Sequence, residues 1–179
     1  MADEFVLYDD MQFTRRDWRN RNKIKTPQGI QWLTIPVEVK GKFQQKINET
    51  LVSDSSWNTN HWKSILFNYK KAPYFNELKD FLEYLYMNVP SRNLSEINAW
   101  FLQEIAKWMN ITTRISFSSD YFLEDERTDR LVTICKQLGA TDYYTGPAAT
   151  EYMDESKFVK SNINLNYFDY SGYPEYNQL

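Results

Sequence analysis

Hydrophobic and polar positions along this chain change period several times, and each change marks an element. Phe5–Tyr8 is a short apolar run that stops at two adjacent carboxylates, Asp9 and Asp10. It reads as a strand opening onto a polar loop that runs to Thr26. Pro27-Gln-Gly29 signals a turn. From Gln31 to Val39, Trp32 and Thr34 alternate with Leu33, Ile35, Val37 and Val39, which is the period of a strand. Pro36 within it predicts an edge or a bulge. Ile47–Asp54 reads as a short extended piece.

A period near 3.6 then takes over. Asp54 or Ser55 caps a predicted helix with Trp57, His61, Trp62, Ile65 and Tyr69 on one face. Tyr74–Met87 is helical by the spacing of Phe75, Leu78, Phe81, Leu82 and Leu85. Asn93 and Glu96 form a capping box for a third helix striped by Leu94, Ile97, Phe101, Ile105 and Trp108 or Met109. Thr112–Phe117 reads as a strand closed by Ser118-Ser119-Asp120. Arg127–Leu138 is a helix ended by Gly139. Thr141–Thr145 is a strand, a helix with Tyr152, Met153 and Phe158 follows, and Asn164–Tyr170 is the last strand.

From residue 112 onward strands and helices alternate, which predicts a parallel sheet with right-handed crossovers. The expectation is one α/β domain over residues 1–179. It has a mostly parallel, Rossmann-like sheet and a helical insertion or cover over residues 54–109.

Charge narrows the choice of ligand. With 21 Lys and Arg against 24 Asp and Glu, the net charge is −3. No global basic field points to nucleic acid. Positive charge is instead concentrated between Arg15 and Lys25, which suits a phosphate-bearing small molecule. The single cysteine, Cys135, excludes an internal disulfide and reads as a core residue. No apolar run reaches membrane-spanning length, so no membrane insertion is expected, and a cytoplasmic location follows. The aromatics Tyr167, Phe168 and Tyr170 suggest a homodimer surface or packing against a further segment.

Two constellations can carry chemistry. The first is Asp9, Asp10, Gln12, Arg16, Asn20, Arg21 and Asn22. Carboxylates can hold a metal or an amine, arginines can clamp phosphate, and amides can read hydroxyls; the plain alternative is a strand-end turn with a solvated salt-bridge surface. The second is Thr145-Gly146-Pro147-Ala148-Ala149, whose small residues let an anion approach a helix start or simply make a tight connection. His61 is a proton shuttle if it faces the first constellation and a hydrogen-bonded core histidine if it does not. No Walker A, Rossmann glycine fingerprint, nucleophile elbow or metal-binding motif occurs, and no cofactor is specified.

Tyr8-Asp-Asp-Met-Gln-Phe-Thr-Arg-Arg-Asp-Trp-Arg-Asn-Arg-Asn-Lys-Ile-Lys-Thr26, followed by Trp32-Leu-Thr-Ile-Pro-Val37, resembles the WbqC-like family. The resemblance continues through His61-Trp62, the Leu131–Ala140 region, Thr145–Ala149 and Tyr152-Met-Asp154. It implies a bacterial protein of O-antigen or other surface-glycan synthesis. Within that setting the expected activity is acyl or aminoacyl transfer to a nucleotide-linked amino sugar, or non-catalytic binding of such a sugar. Asp9 or Asp10 would hold or deprotonate the amine, with His61 as shuttle. Gln12, Arg16, Asn20, Arg21, Asn22, Gly146 and Tyr152 would bind substrate. Against the family pattern the chain reads as shortened at both ends, lacking a first strand and helix with His-Gln-Pro and a C-terminal segment.

Overall fold

A computed structural model describes residues 2–124 and 126–174. The chain divides into two compact units, one up to Ser116 and one beginning at Phe117.

In the first unit, β1 (Glu4–Leu7) leads into a polar segment and then a hairpin of β2 (Arg21–Thr26) and β3 (Gly29–Thr34). The strand β2 lies in the stretch expected to be loop. Its alternation is concealed by its polarity: Ile24 and Thr26 turn inward while Lys23 and Lys25 stay exposed. The pair is antiparallel, with Lys23 opposite Trp32 and Arg21 opposite Thr34. Gly29, at φ +115°, permits the tight return after Pro27-Gln28. The strand predicted to Val39 stops at Thr34, before Pro36 removes a donor.

Residues 50–53 make a strap between two other segments. Glu38 N donates to Leu51 O at 2.9 Å on one side. On the other, Val52 N donates to Arg92 O at 2.8 Å and Leu94 N to Thr50 O at 2.9 Å. The helices α1 (Trp57–Tyr69), α2 (Phe75–Met87) and α3 (Leu94–Trp108) fill the expected helical region. Asn93 caps α3 by accepting from Ser95 N and Glu96 N, and its amide donates to Asn48 O at 2.6 Å. The core gathers Phe13, Ile35, Ile47, Val52, Trp57, Leu94 and Ile97.

The strand β4 (Arg114–Phe117) pairs with β1. It was expected to join a parallel sheet with the two later strands. Its partners explain the difference: Thr113 Oγ1 donates to Ala2 O at 2.7 Å, Arg114 N donates to Asp3 O at 3.0 Å, and Arg114 is ion-paired with Glu4.

The second unit holds α4 (Arg127–Leu138), β5 (Asp142–Thr145), α5 (Glu155–Lys160) and β6 (Asn164–Tyr167). Gly139 ends α4 at φ +65°, the left-handed cap its position predicts. The strands β5 and β6 are parallel, Asp142 opposite Asn164 and Tyr144 opposite Asn166. Tyr143, Leu165 and Tyr167 face a core of Val132, Cys135, Ala149, Met153, Phe158 and Ile163. Burial there pushes the Cys135 thiol up to about 11, which keeps it inert. Tyr152 and Met153 precede α5 rather than lying within it, because Asp154 caps the helix by accepting from Ser156 N. The α/β class therefore holds. Among the described residues the sheets are three two-stranded pairs, of which β5–β6 is parallel and β2–β3 antiparallel. Of the mostly parallel Rossmann-like sheet expected, the parallel pair β5–β6 is present.

Candidate functional site

The first constellation separates into two neighbourhoods. Asp9 and Asp10 lie just past the end of β1 and are buried, at 5% and 8% exposure. Asp9 Oδ2 accepts from Ser95 Oγ at 2.9 Å, which sets the carboxylate at the first turn of α3, where the helix dipole favours it. Asp9 O accepts from Asn48 N at 2.9 Å, and Gln12 Nε2 donates to Phe43 O at 2.9 Å. These groups knit residues 9–13 to residues 43–48.

The second neighbourhood is built on the hairpin. Because β2 and β3 pair in register, Arg21, Lys23 and Lys25 face outward across from Thr34, Trp32 and Ile30. One edge of this face is cationic and the other largely apolar. The Arg21 guanidinium lies 4.1 Å from the Trp32 ring centroid. The Lys23 ammonium is 4.8 Å from Trp32 and 5.2 Å from Trp18. The two indoles are 5.1 Å apart and tilted by 53°. Trp18 is 60% exposed and Trp32 38%. Arg16 sits at φ +61° and its carbonyl accepts a bond from the Arg21 guanidinium, which aims that side chain along the face. Asn22, by contrast, alternates to the other face and accepts from Lys23 N at 2.8 Å.

Two buried side chains hold the base of the hairpin. Asn20 Nδ2 donates to Ile35 O at 2.8 Å, and the Asn20 backbone carbonyl accepts from Ile35 N at 2.8 Å. His61 Nε2 lies 3.0 Å from Thr34 O, so its proton is donated to the backbone. The ring packs edge-on against Trp57 at 5.2 Å and Tyr86 at 6.0 Å. Burial holds the His61 pKa below its ordinary value, against the opposing pull of the Thr34 carbonyl. Burial also pushes Tyr86 up to about 12. This is the environment of a neutral anchoring histidine.

Gly146 and Tyr152 belong to the second unit. Gly146 precedes a 3-10 turn, Pro147–Glu151, at an ordinary φ of −72°, so the helix start expected there is a single tight turn. Tyr152 is exposed, with the Arg127 guanidinium 4.8 Å from its ring centroid. Among the described residues, no group of three or more His, Cys, Asp or Glu is placed to hold a metal ion. Nor is any helix long and apolar enough to cross a membrane.

Sequence reasoning found Arg21 but missed Lys23 and Trp32 as its partners. The Thr26–Gly29 turn was the available signal: counting outward from it pairs 25 with 30, 23 with 32 and 21 with 34.

Comparison with known proteins places the chain in context. The sequence model of the WbqC-like protein family matches residues 1–179, leaving no part of the chain outside it. The chain is 49% identical over 178 residues to the uncharacterized protein Rv1507c of Mycobacterium tuberculosis, covering 99% of this chain and 77% of that relative. No solved structure gives a significant match.

Proposed function

The chain belongs to the WbqC-like protein family, and from that premise we propose that it binds a nucleotide-linked sugar during synthesis of a bacterial surface glycan. The observation that carries this reading is the outward face of the β2–β3 hairpin. Exposed indoles offer flat surfaces for a base or a pyranose ring. Arg21 and Lys23 lie against the same rings and supply the charge that a diphosphate requires. Residues Arg15 to Lys25 hold six cations and one carboxylate, Asp17, in a chain of net charge −3.

Calorimetric titration with UDP-N-acetylglucosamine and a panel of other nucleotide-linked amino sugars tests the reading. Binding is expected, weakened about tenfold or more by Arg21→Ala, since a charge-assisted hydrogen bond contributes about 1.5–3 kcal/mol. Heat from none of the panel overturns it.

Acyl or aminoacyl transfer to the amino sugar is a second reading, favoured by the pair of buried carboxylates at the end of β1. In that step the sugar amine attacks the carbonyl of an ATP-activated acyl adenylate, the C–O bond to AMP breaks and AMP leaves, and a carboxylate there takes up the amine proton. Mass spectrometry of mixtures containing nucleotide-linked amino sugars, ATP, magnesium and amino acids checks it. An adduct mass lost in Asp10→Asn supports transfer, and bound but unmodified sugar supports the binding reading alone.

A further inference from the structure

The parallel pair β5–β6 has two unlike faces. Tyr143, Leu165 and Tyr167 face the core. The register then puts Asp142, Tyr144, Asn164 and Asn166 together on the other face, and the chain beyond β6 adds Phe168 and Tyr170. Tyr144, Phe168 and Tyr170 are 52%, 47% and 62% exposed, a large aromatic surface for one small unit. Their rings form a row. Tyr144 and Phe168 lie 5.6 Å apart, and Phe168 and Tyr170 lie 6.0 Å apart and within 20° of parallel.

Beside this row is an ordered polar set. Asp142 Oδ1 accepts from the amides of Asn164 at 3.1 Å and Asn166 at 3.4 Å, and its Oδ2 accepts from Thr141 Oγ1 at 2.7 Å. The Thr141 hydroxyl and then the Asn164 amide hold the Asp142 carboxyl below the usual carboxylate range, so it is an ionised acceptor at neutral pH.

We infer that this face is a binding strip for a neutral glycan chain, independent of the nucleotide-sugar reading of the hairpin. The C–H faces of successive pyranose rings lie on Tyr144, Phe168 and Tyr170, and their hydroxyls exchange hydrogen bonds with Asp142, Asn164 and Asn166. The chemistry selects this ligand over two others. None of the six residues is basic, which gives an anionic ligand no partner. A second copy of the chain closing over the strip would leave the Asp142 carboxylate to be desolvated, whereas a hydroxyl-rich ligand satisfies it.

Native gel electrophoresis of the whole chain through gels containing galactomannan, glucomannan or dextran tests the assignment. Retardation is expected in at least one gel. Tyr144→Ala and Tyr170→Ala are expected to lower the apparent affinity about tenfold, the scale of one lost aromatic stacking contact. Asp142→Asn, which keeps the shape and removes the charge, lowers it less. Val159→Ala, an exposed apolar residue on α5, leaves it unchanged. Circular dichroism confirms that each variant is folded. The inference is overturned by no retardation in any of the three gels, or by retardation that survives both tyrosine substitutions. It is equally overturned if sedimentation shows a dimer that Tyr144→Ala dissolves while no gel retards the protein, which would assign the face to a second copy.

Discussion

The β2–β3 face and the β5–β6 face both expose aromatic rings and surround them oppositely. On the hairpin, Trp18 and Trp32 stand among Arg21 and Lys23. On the parallel pair, Tyr144 and Phe168 stand beside Asp142 and two asparagines. The rings provide area in both cases, and the neighbouring charge decides what that area suits. A guanidinium favours phosphate, while an ionised carboxylate braced by amides repels phosphate and welcomes hydroxyls.

The largest test of this contrast removes the support of one face. Phe158 is fully buried and stacks on Tyr143 at 5.3 Å, on the inner side of β5. Phe158→Ala should cost about 3–5 kcal/mol. Hydrogen exchange should register the loss in residues 127–167, and glycan retardation should fall with it. A next, smaller effect is salt. Raising ionic strength from about 0.01 M to 0.15 M shortens the screening length from about 30 Å to 8 Å. Nucleotide-sugar binding at the hairpin should weaken several-fold, while retardation in neutral glycan should hold constant. Equal salt responses would erase the distinction between the faces.

The smallest effect concerns the anchor under the hairpin. His61 has its pKa depressed by burial, so the unfolded chain takes up a proton first as pH falls. Stability is therefore full above the unfolded value of 6.5, declines as pH drops below it, and levels off beneath the lower folded value. Urea unfolding between pH 8 and pH 5 should show this decline, and His61→Gln should flatten it. Tyr86, pushed up to about 12, stays neutral throughout and adds no slope.

Much of this architecture was legible in the periodicity. The helices α2, α3 and α4, the Asn93 cap and the Gly139 cap fall where apolar spacing and capping residues put them. What periodicity does not encode is partnership. Nothing in Arg114–Phe117 states that it lies beside Glu4–Leu7, since that choice rests on backbone pairing across more than a hundred residues, such as Arg114 N to Asp3 O. The strand β2 was hidden for a different reason. Its exposed side is charged, so the inward Ile24 and Thr26 were too few to outweigh Asn22, Lys23 and Lys25. The site shows the same limit. The stretch from Asp9 to Asn22 was singled out for its polarity, and the fold divides it. Asp9 turns to Ser95, Asn20 to Ile35, and Arg21 to the Trp32 ring.

The strap at residues 50–53 bears on how the molecule can be altered. The chain leaves for α1 and returns from α2 at one hydrogen-bonded point, Val52 N on Arg92 O. The 39 residues in between, 53–91, are a closed excursion whose ends are fixed regardless of its length. Doubling such a loop costs only about 0.6 kcal/mol in closure entropy. The exposed bend at Lys70, Lys71, Pro73 and Tyr74, midway along that excursion, is thus a port where a reporter peptide can be spliced without disturbing the strap.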